Sequence, residues 1–276
     1  MYNLPDTFKN DIKKGISNMA HISISNASQA IDRQAVFHDQ CLSVGNIIVL
    51  HLFPGALITA FYFLIGPVLI QVGFPPIIAL YLSILLILIP FELGFLFYQG
   101  KKLNGRYSLD GVVVFRERST IGQMIFLIIA LFVWSGIVFC LLPKLDTFFT
   151  QIFFAWFPSW SFPAHLLGDS SQYSKEVIII TISAGFILNG IAGPIVEELY
   201  FRGYLLPRMP SSKILAPLIN VLLFSLYHFF SPWQNLTRIL AFLPLSYSVA
   251  WTRNIYISIW AHCLLNTAGM VIAFAL

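Results

Sequence analysis

Charge is what this chain has least of. Only 10% of its 276 residues are Asp, Glu, Lys or Arg, against about 25% in soluble globular domains. Hydrophobic residues make up 58%, and the mean hydropathy is +0.80. That shortage excludes a soluble fold. A formal charge of +4 with no Lys/Arg-rich run interleaved with aromatics also excludes a nucleic-acid partner. The three cysteines, Cys41, Cys140 and Cys263, are odd in number and show no CxxC spacing, which excludes a disulfide framework and a zinc knuckle. They are expected to be small buried hydrophobes. Cys263 adjoins His262, but neighbours on a helix point about 100° apart, so the pair is not read as nucleophile and base. Residues 1–33 lack the apolar core of a signal peptide, so the first spanning helix is expected to serve as its own insertion signal. HExxH, GxSxG and GxGD are all absent; the nearest run to the last is Leu166-Leu167-Gly168-Asp169. Helix-borne zinc, serine and aspartyl proteolysis therefore lack their residues.

What the chain has instead is long apolar runs. Stretches near 47–71, 76–99, 121–142, 178–206, 214–231, 236–252 and 255–275 approach the roughly 20 residues that cross a bilayer. The expected fold is all-α, a polytopic transmembrane bundle of about seven to eight helices. Residues 1–45 read as a polar cytoplasmic or interfacial extension, and 46–276 as one integral-membrane, protease-like domain with its motif-bearing core at 178–275. With the N-terminus cytoplasmic and seven spans, 13 of the 16 Lys and Arg residues fall on the inside and only Lys144, Lys175 and Arg238 on the outside. The positive-inside bias thus favours a cytoplasmic N-terminus. The outer segment at 143–177 is rich in Phe and Trp, as an interfacial belt would be.

Three polar signals interrupt the apolar sequence of the last third: Glu197-Glu198 with Arg202, Phe224 with His228, and His262 with Asn266. Charged and imidazole groups at membrane depth are costly and mark working sites. At 1.5 Å per helical residue, Glu197 lies roughly 16 Å from Arg208, His228 roughly 22 Å from Lys213 and His262 roughly 14 Å from Arg253. All three anchors are on the cytoplasmic side. Motifs on three different spans therefore reach similar depth, near mid-bilayer, where they can form one site.

Glu198 and Arg202, at i and i+4 with the acid first, are placed to pair and neutralise each other. Glu197 points away from that pair and is available as a general base. Pro194 clashes with the carbonyl of Gly190, so a local kink is expected there. His228 can share a proton with a water that Glu197 activates. His262 and Asn266, again i and i+4, can donate to a developing oxyanion. Together these read as hydrolysis of a peptide or other acyl bond. Each signal alone has a blander reading: a structural ion pair, a satisfied buried histidine, or helix–helix hydrogen bonds worth about 0.6 kcal/mol. Two carboxylates, two imidazoles and an amide could also hold a divalent cation such as zinc. Glu198 is better explained by Arg202, and no cofactor is otherwise implied. His21, His38, His51 and His165 lie outside the constellation and read as incidental.

The residues resemble the CAAX prenyl endopeptidase, bacteriocin-processing and Abi (CPBP) family of intramembrane glutamate proteases. Its EExxxR motif is matched by Glu197-Glu198-Leu199-Tyr200-Phe201-Arg202, FxxxH by Phe224 to His228, and HxxxN by His262 to Asn266. The match covers about residues 185–270. The resemblance implies an endopeptidase with Glu197 as the water-activating glutamate, His228 as its partner, and His262 with Asn266 as the oxyanion pair. Glu198, Arg202 and Phe224 would support them, and the glutamate mechanism needs no metal. It further implies a membrane-associated peptide or protein substrate and a multi-pass protein of the cell membrane. It also permits a different class, a non-catalytic immunity or regulatory scaffold.

Overall fold

The computed structural model describes residues 41–168 and 170–275. The extension expected over 1–45 lies, up to residue 40, outside them, as do His21, His38 and Asp169. Among the described residues the chain forms eight helices and no sheet. They are α1 (Val44–Gln71), α2 (Ile77–Asn104), α3 (Ile121–Leu141), α4 (Pro143–Phe153), α5 (Lys175–Arg208), α6 (Leu215–Tyr227), α7 (Asn235–Thr252) and α8 (Ile255–Ala275). Three of the helices, α1, α3 and α5, begin where a short polar side chain takes up a free backbone donor. Ser43 accepts from Asn46 N, Thr120 from Gln123 N, and Ser174 from Val177 N, at 3.2–3.3 Å. Arg253, in the left-handed conformation at φ 52°, ends α7 and turns the chain into α8.

Helices α1, α2, α3, α5 and α8 are long and apolar enough to cross a membrane. The fifth apolar run behaves differently from the full span expected over 214–231: its helix stops at Tyr227 after 13 residues, about 20 Å of rise. Pro232 and the turn around it follow, so the chain re-enters α7 through a loop that carries His228. The segment read as an aromatic belt contains an additional amphipathic helix, α4. Its Phe148, Ile152 and Phe153 are exposed, while its Asp146 accepts from Thr237 on α7.

The bundle is inside-out relative to a soluble protein. Leu64 and Phe126 are 74% and 70% exposed, whereas Glu92, Glu198, Arg202, Asn220 and His51 are fully enclosed. Bilayer tails solvate the first set; only protein can satisfy the second. The same logic corrects the cysteine expectation. Cys41 and Cys140 are exposed and Cys263 is half-buried, because an apolar environment outside removes the reason to bury a small hydrophobe. His51, read as incidental, is also structural. Its Nδ1 meets Ile47 O at 2.8 Å and its Nε2 meets Asn220 Nδ2 at 3.1 Å, while Ser246 donates to Asn220 Oδ1. This network ties α1, α6 and α7 together. Asn220 also donates to Phe201 O on α5.

Candidate active site

Helix α5 positions the first motif, and its winding is irregular where the motif sits. Residues Gly185–Ala192 and Glu198–Leu205 are π-helical, with i→i+5 bonding, separated by the α-helical turn Gly193–Glu197. The distortion expected at Pro194 is thus a switch of winding between two π stretches. Such turns are rare and concentrate at functional sites. The α-turn packs against the π-helical part of α2, Ile84–Leu93, which contains Pro90.

Glu198 and Arg202 form the expected ion pair, Oε1 to Nη1 at 3.3 Å, with both side chains fully buried. The angle is too poor for a hydrogen bond, and the guanidinium finds no acceptor among the described residues. It lies instead over the Phe224 ring, with its central carbon 3.9 Å from the centroid. A desolvated cation over an aromatic face is worth about 2 kcal/mol or more, which gives the phenylalanine of the second motif a physical role. Glu198 Oε1 also meets His262 Nδ1 at 2.9 Å. One carboxylate therefore joins the first motif to the third.

Glu197 faces the other way. Its Oε1 lies 3.8 Å from His228 Nε2 and its Oε2 lies 3.9 Å from His262 Nε2. In His228, Nδ1 is 2.8 Å from the carbonyl of Phe224. A carbonyl only accepts, so this contact assigns the proton of the neutral ring to Nδ1 and leaves an Nε2 lone pair toward Glu197. The Glu198 contact sets the same tautomer in neutral His262. Asn266 is half-buried, and its amide donates to the carbonyl of Asn189 on α5 at 2.9 Å, leaving a second N–H. The three motifs thus converge, and five of their seven residues, Glu197, Phe224, His228, His262 and Asn266, line one cavity of about 530 Å³. The cavity is walled mainly by apolar side chains such as Ile58, Leu88, Phe139 and Met270.

Several buried polar residues here were not singled out from the motifs. Glu92 on α2 accepts from Tyr227 Oη at 2.9 Å, its second oxygen has no partner, and it is completely enclosed. As the single acidic residue of an apolar span, it carried a readable signal. Arg238, counted above among the cations on the outer side, is 6% exposed on α7 and lines the cavity. Tyr227 is placed by a close approach: a Cβ at Gly55 of α1 would lie 2.0 Å from the Tyr227 carbonyl oxygen. Among the described residues, no group of three His, Cys, Asp or Glu side chains is arranged to hold a metal ion.

No curated protein and no solved structure matches the chain. Residues 179–268, which carry all three motifs, match the family model described as type II CAAX prenyl endopeptidase Rce1-like. Over that segment and its motifs, the chain is similar to the CAAX-protease family.

Proposed function

We propose that this protein is an intramembrane endopeptidase in which Glu197 activates a water for attack on a peptide carbonyl. The observation that carries the reading is the environment of Glu197, whose two carboxylate oxygens each face an imidazole Nε2 at 3.8–3.9 Å on a cavity wall. Those separations are too long for direct hydrogen bonds and suit a small molecule held between the groups. Glu197 takes one proton from the water, and His228 Nε2 accepts a hydrogen bond from its other hydrogen. The hydroxide adds to the carbonyl carbon. The second N–H of Asn266 and protonated His262 donate to the oxyanion, with the Glu198 carboxylate balancing the imidazolium. Collapse breaks the C–N bond, Glu197 returns its proton to the leaving amine, and the hydroxyl stays on the new carboxyl group.

This mechanism needs no metal. Two ligands of one tetrahedral zinc lie about 3.3 Å apart, closer than either histidine lies to Glu197. The substrate is a membrane-associated peptide or protein, since the cavity opens in a bundle with an apolar exterior. The basic-residue bias supports a cell-membrane protein with a cytoplasmic N-terminus. The cavity that reaches both histidines favours catalysis over a non-catalytic immunity or regulatory scaffold.

The test is cleavage of a diverse peptide mixture by the full chain in liposomes, read by mass spectrometry, with wild type set against Glu197→Gln. Products lost in the variant support the reading, and products that persist defeat it. If a strong chelator abolishes cleavage and zinc restores it, the metal-free mechanism is wrong.

A further inference from the structure

We propose that Arg238 is the anion-recognition residue of this cavity, and that it receives a carboxylate of the peptide substrate. The inference rests on the endopeptidase reading and narrows its substrate class. Arg238 lines the same cavity as Glu197, His228 and His262. The side chain is all but enclosed, yet no carboxylate among the described residues lies within the 4.0 Å of an ion pair. Its bonds go to neutral oxygens. Nη1 donates to Ser225 O at 3.4 Å and Asn235 Oδ1 at 3.2 Å; Nη2 donates to Ser231 Oγ at 2.8 Å and Gln234 Oε1 at 3.4 Å. These acceptors satisfy N–H groups but carry no charge. The counter-charges Glu197 and Asp146 act on the guanidinium only from beyond ion-pair range, whereas a buried charge is normally paired in contact.

The other buried arginines differ. Arg202 has Glu198. Arg208 stacks on Tyr204, is held by the carbonyls of Val112 and Tyr204, and does not line the cavity. Among the described residues, Arg238 is the one arginine in the cavity wall. Two of its four bonds are at the long limit of a hydrogen bond. One of those goes to Gln234, a flexible side chain that lines the same cavity. A carboxylate displaces Gln234 and takes up the guanidinium fork, the geometry for which Arg is suited. Glu197 strengthens the case. It repels any anion entering this space, so a substrate carboxylate enters productively only if a cation receives it away from the general base. The carboxylate has two possible sources: the C-terminus of the peptide, or an Asp or Glu side chain near the scissile bond.

The experiment uses the full chain in liposomes and a cleaved peptide made in four forms: free acid or C-terminal amide, each with an acidic residue or its amide counterpart beside the cut. In wild type, removing the recognised carboxylate lowers kcat/KM about tenfold or more, the worth of a hydrogen bond between charged groups. Which of the four forms suffers identifies the source. Arg238→Gln lowers the rate for the carboxylate form about tenfold more than for the neutral form, and Arg238→Lys recovers part of the difference. Equal rates for all four forms in wild type overturn the proposal. So does an equal loss on every form in Arg238→Gln, which would make Arg238 a structural clasp of the His228 loop. A parallel binding measurement uses fluorescent acid and amide peptides on Glu197→Gln, in wild-type and Arg238→Gln backgrounds. Acid-selective binding that needs Arg238 supports the anion site even where no peptide is cut, and equal binding overturns it whether or not cleavage occurs.

Discussion

The guanidinium of Arg202 lies over the ring of Phe224, 3.9 Å from carbon to centroid, and so ties α5 to α6 inside the bundle. Phe224 also meets His228 edge-on, at 4.9 Å between centroids. Replacing Phe224 with Leu removes the cation's aromatic face and leaves a small void, a combined cost of about 2–3 kcal/mol. Thermal unfolding in detergent should show a clear drop for Phe224→Leu and little change for Leu226→Ala, an exposed position on the same helix. Equal melting curves for the two variants would mean that the stacking is incidental.

Glu198 is the junction of the site, since it accepts from His262 Nδ1 and balances Arg202. Glu198→Gln leaves the enclosed guanidinium without a counter-charge, at about 3–5 kcal/mol. Removing both charges, as in Glu198→Gln with Arg202→Met, should restore part of that loss because nothing charged is then stranded. A double-mutant cycle measures the coupling. Strictly additive losses would show that the pair does not interact as a unit.

The motif spacing made most of the site legible. Glu198–Arg202 pairing follows from an i, i+4 relation, and convergence of the three motifs follows from helical rise measured from basic anchors. Other features do not follow from spacing. The π-helical turns around Glu197 depend on backbone packing against α2, and no residue pattern encodes them. The end of α6 at Tyr227 was hidden because Phe229 and Phe230 continue the apolar run beyond the last helical turn. The burial of Arg238 was hidden because a count of cations on each side says nothing of enclosure; Ser231, Gln234 and Asn235 supply acceptors that hold it within the protein. Glu92 was readable as the lone acid of its span, but its partner Tyr227 is 135 residues away, a distance no local pattern bridges.

That distant pair makes a contrast between two substitutions. Tyr227→Phe strips Glu92 of its one donor and leaves both oxygens bare, which costs about 1–3 kcal/mol. Glu92→Gln keeps an acceptor for the tyrosine and cannot ionise, so it should be near neutral or stabilising. Unfolding midpoints in detergent rank the two. If Glu92→Gln proves the more damaging, the carboxylate has a role beyond receiving this bond.

Gly55 is where α1 touches the chain just before His228. An added methyl would occupy space 2.0 Å from the Tyr227 carbonyl oxygen, so Gly55→Ala must separate the helices, at a cost of about 1–3 kcal/mol. The displacement reaches the loop of His228. Peptide cleavage should fall about tenfold or more, as misplacements of about 1 Å can cost a hundredfold, while helical circular dichroism is retained. Full activity in Gly55→Ala would show that the loop tolerates the shift.

Asp146 lies on α4, outside the spanning helices, and docks that helix onto α7 by accepting from the Thr237 hydroxyl. Burial raises its carboxyl above the ordinary aspartate range; the Thr237 bond and the nearby Arg238 charge pull the other way without prevailing. The folded protein therefore keeps this proton to higher pH than the unfolded chain. Below the ordinary aspartate value both states are protonated and the contribution is fully present. As pH rises through the raised value, the unfolded state has already ionised and the docked state must follow, so stability is lost. Hydrogen exchange of α4 should accordingly quicken as pH rises through this window, after correction for the intrinsic rate. Asp146→Asn, which cannot ionise, should remove that step. A step that survives in Asp146→Asn would belong to another group, and the docking of α4 would then owe nothing to the state of this carboxyl.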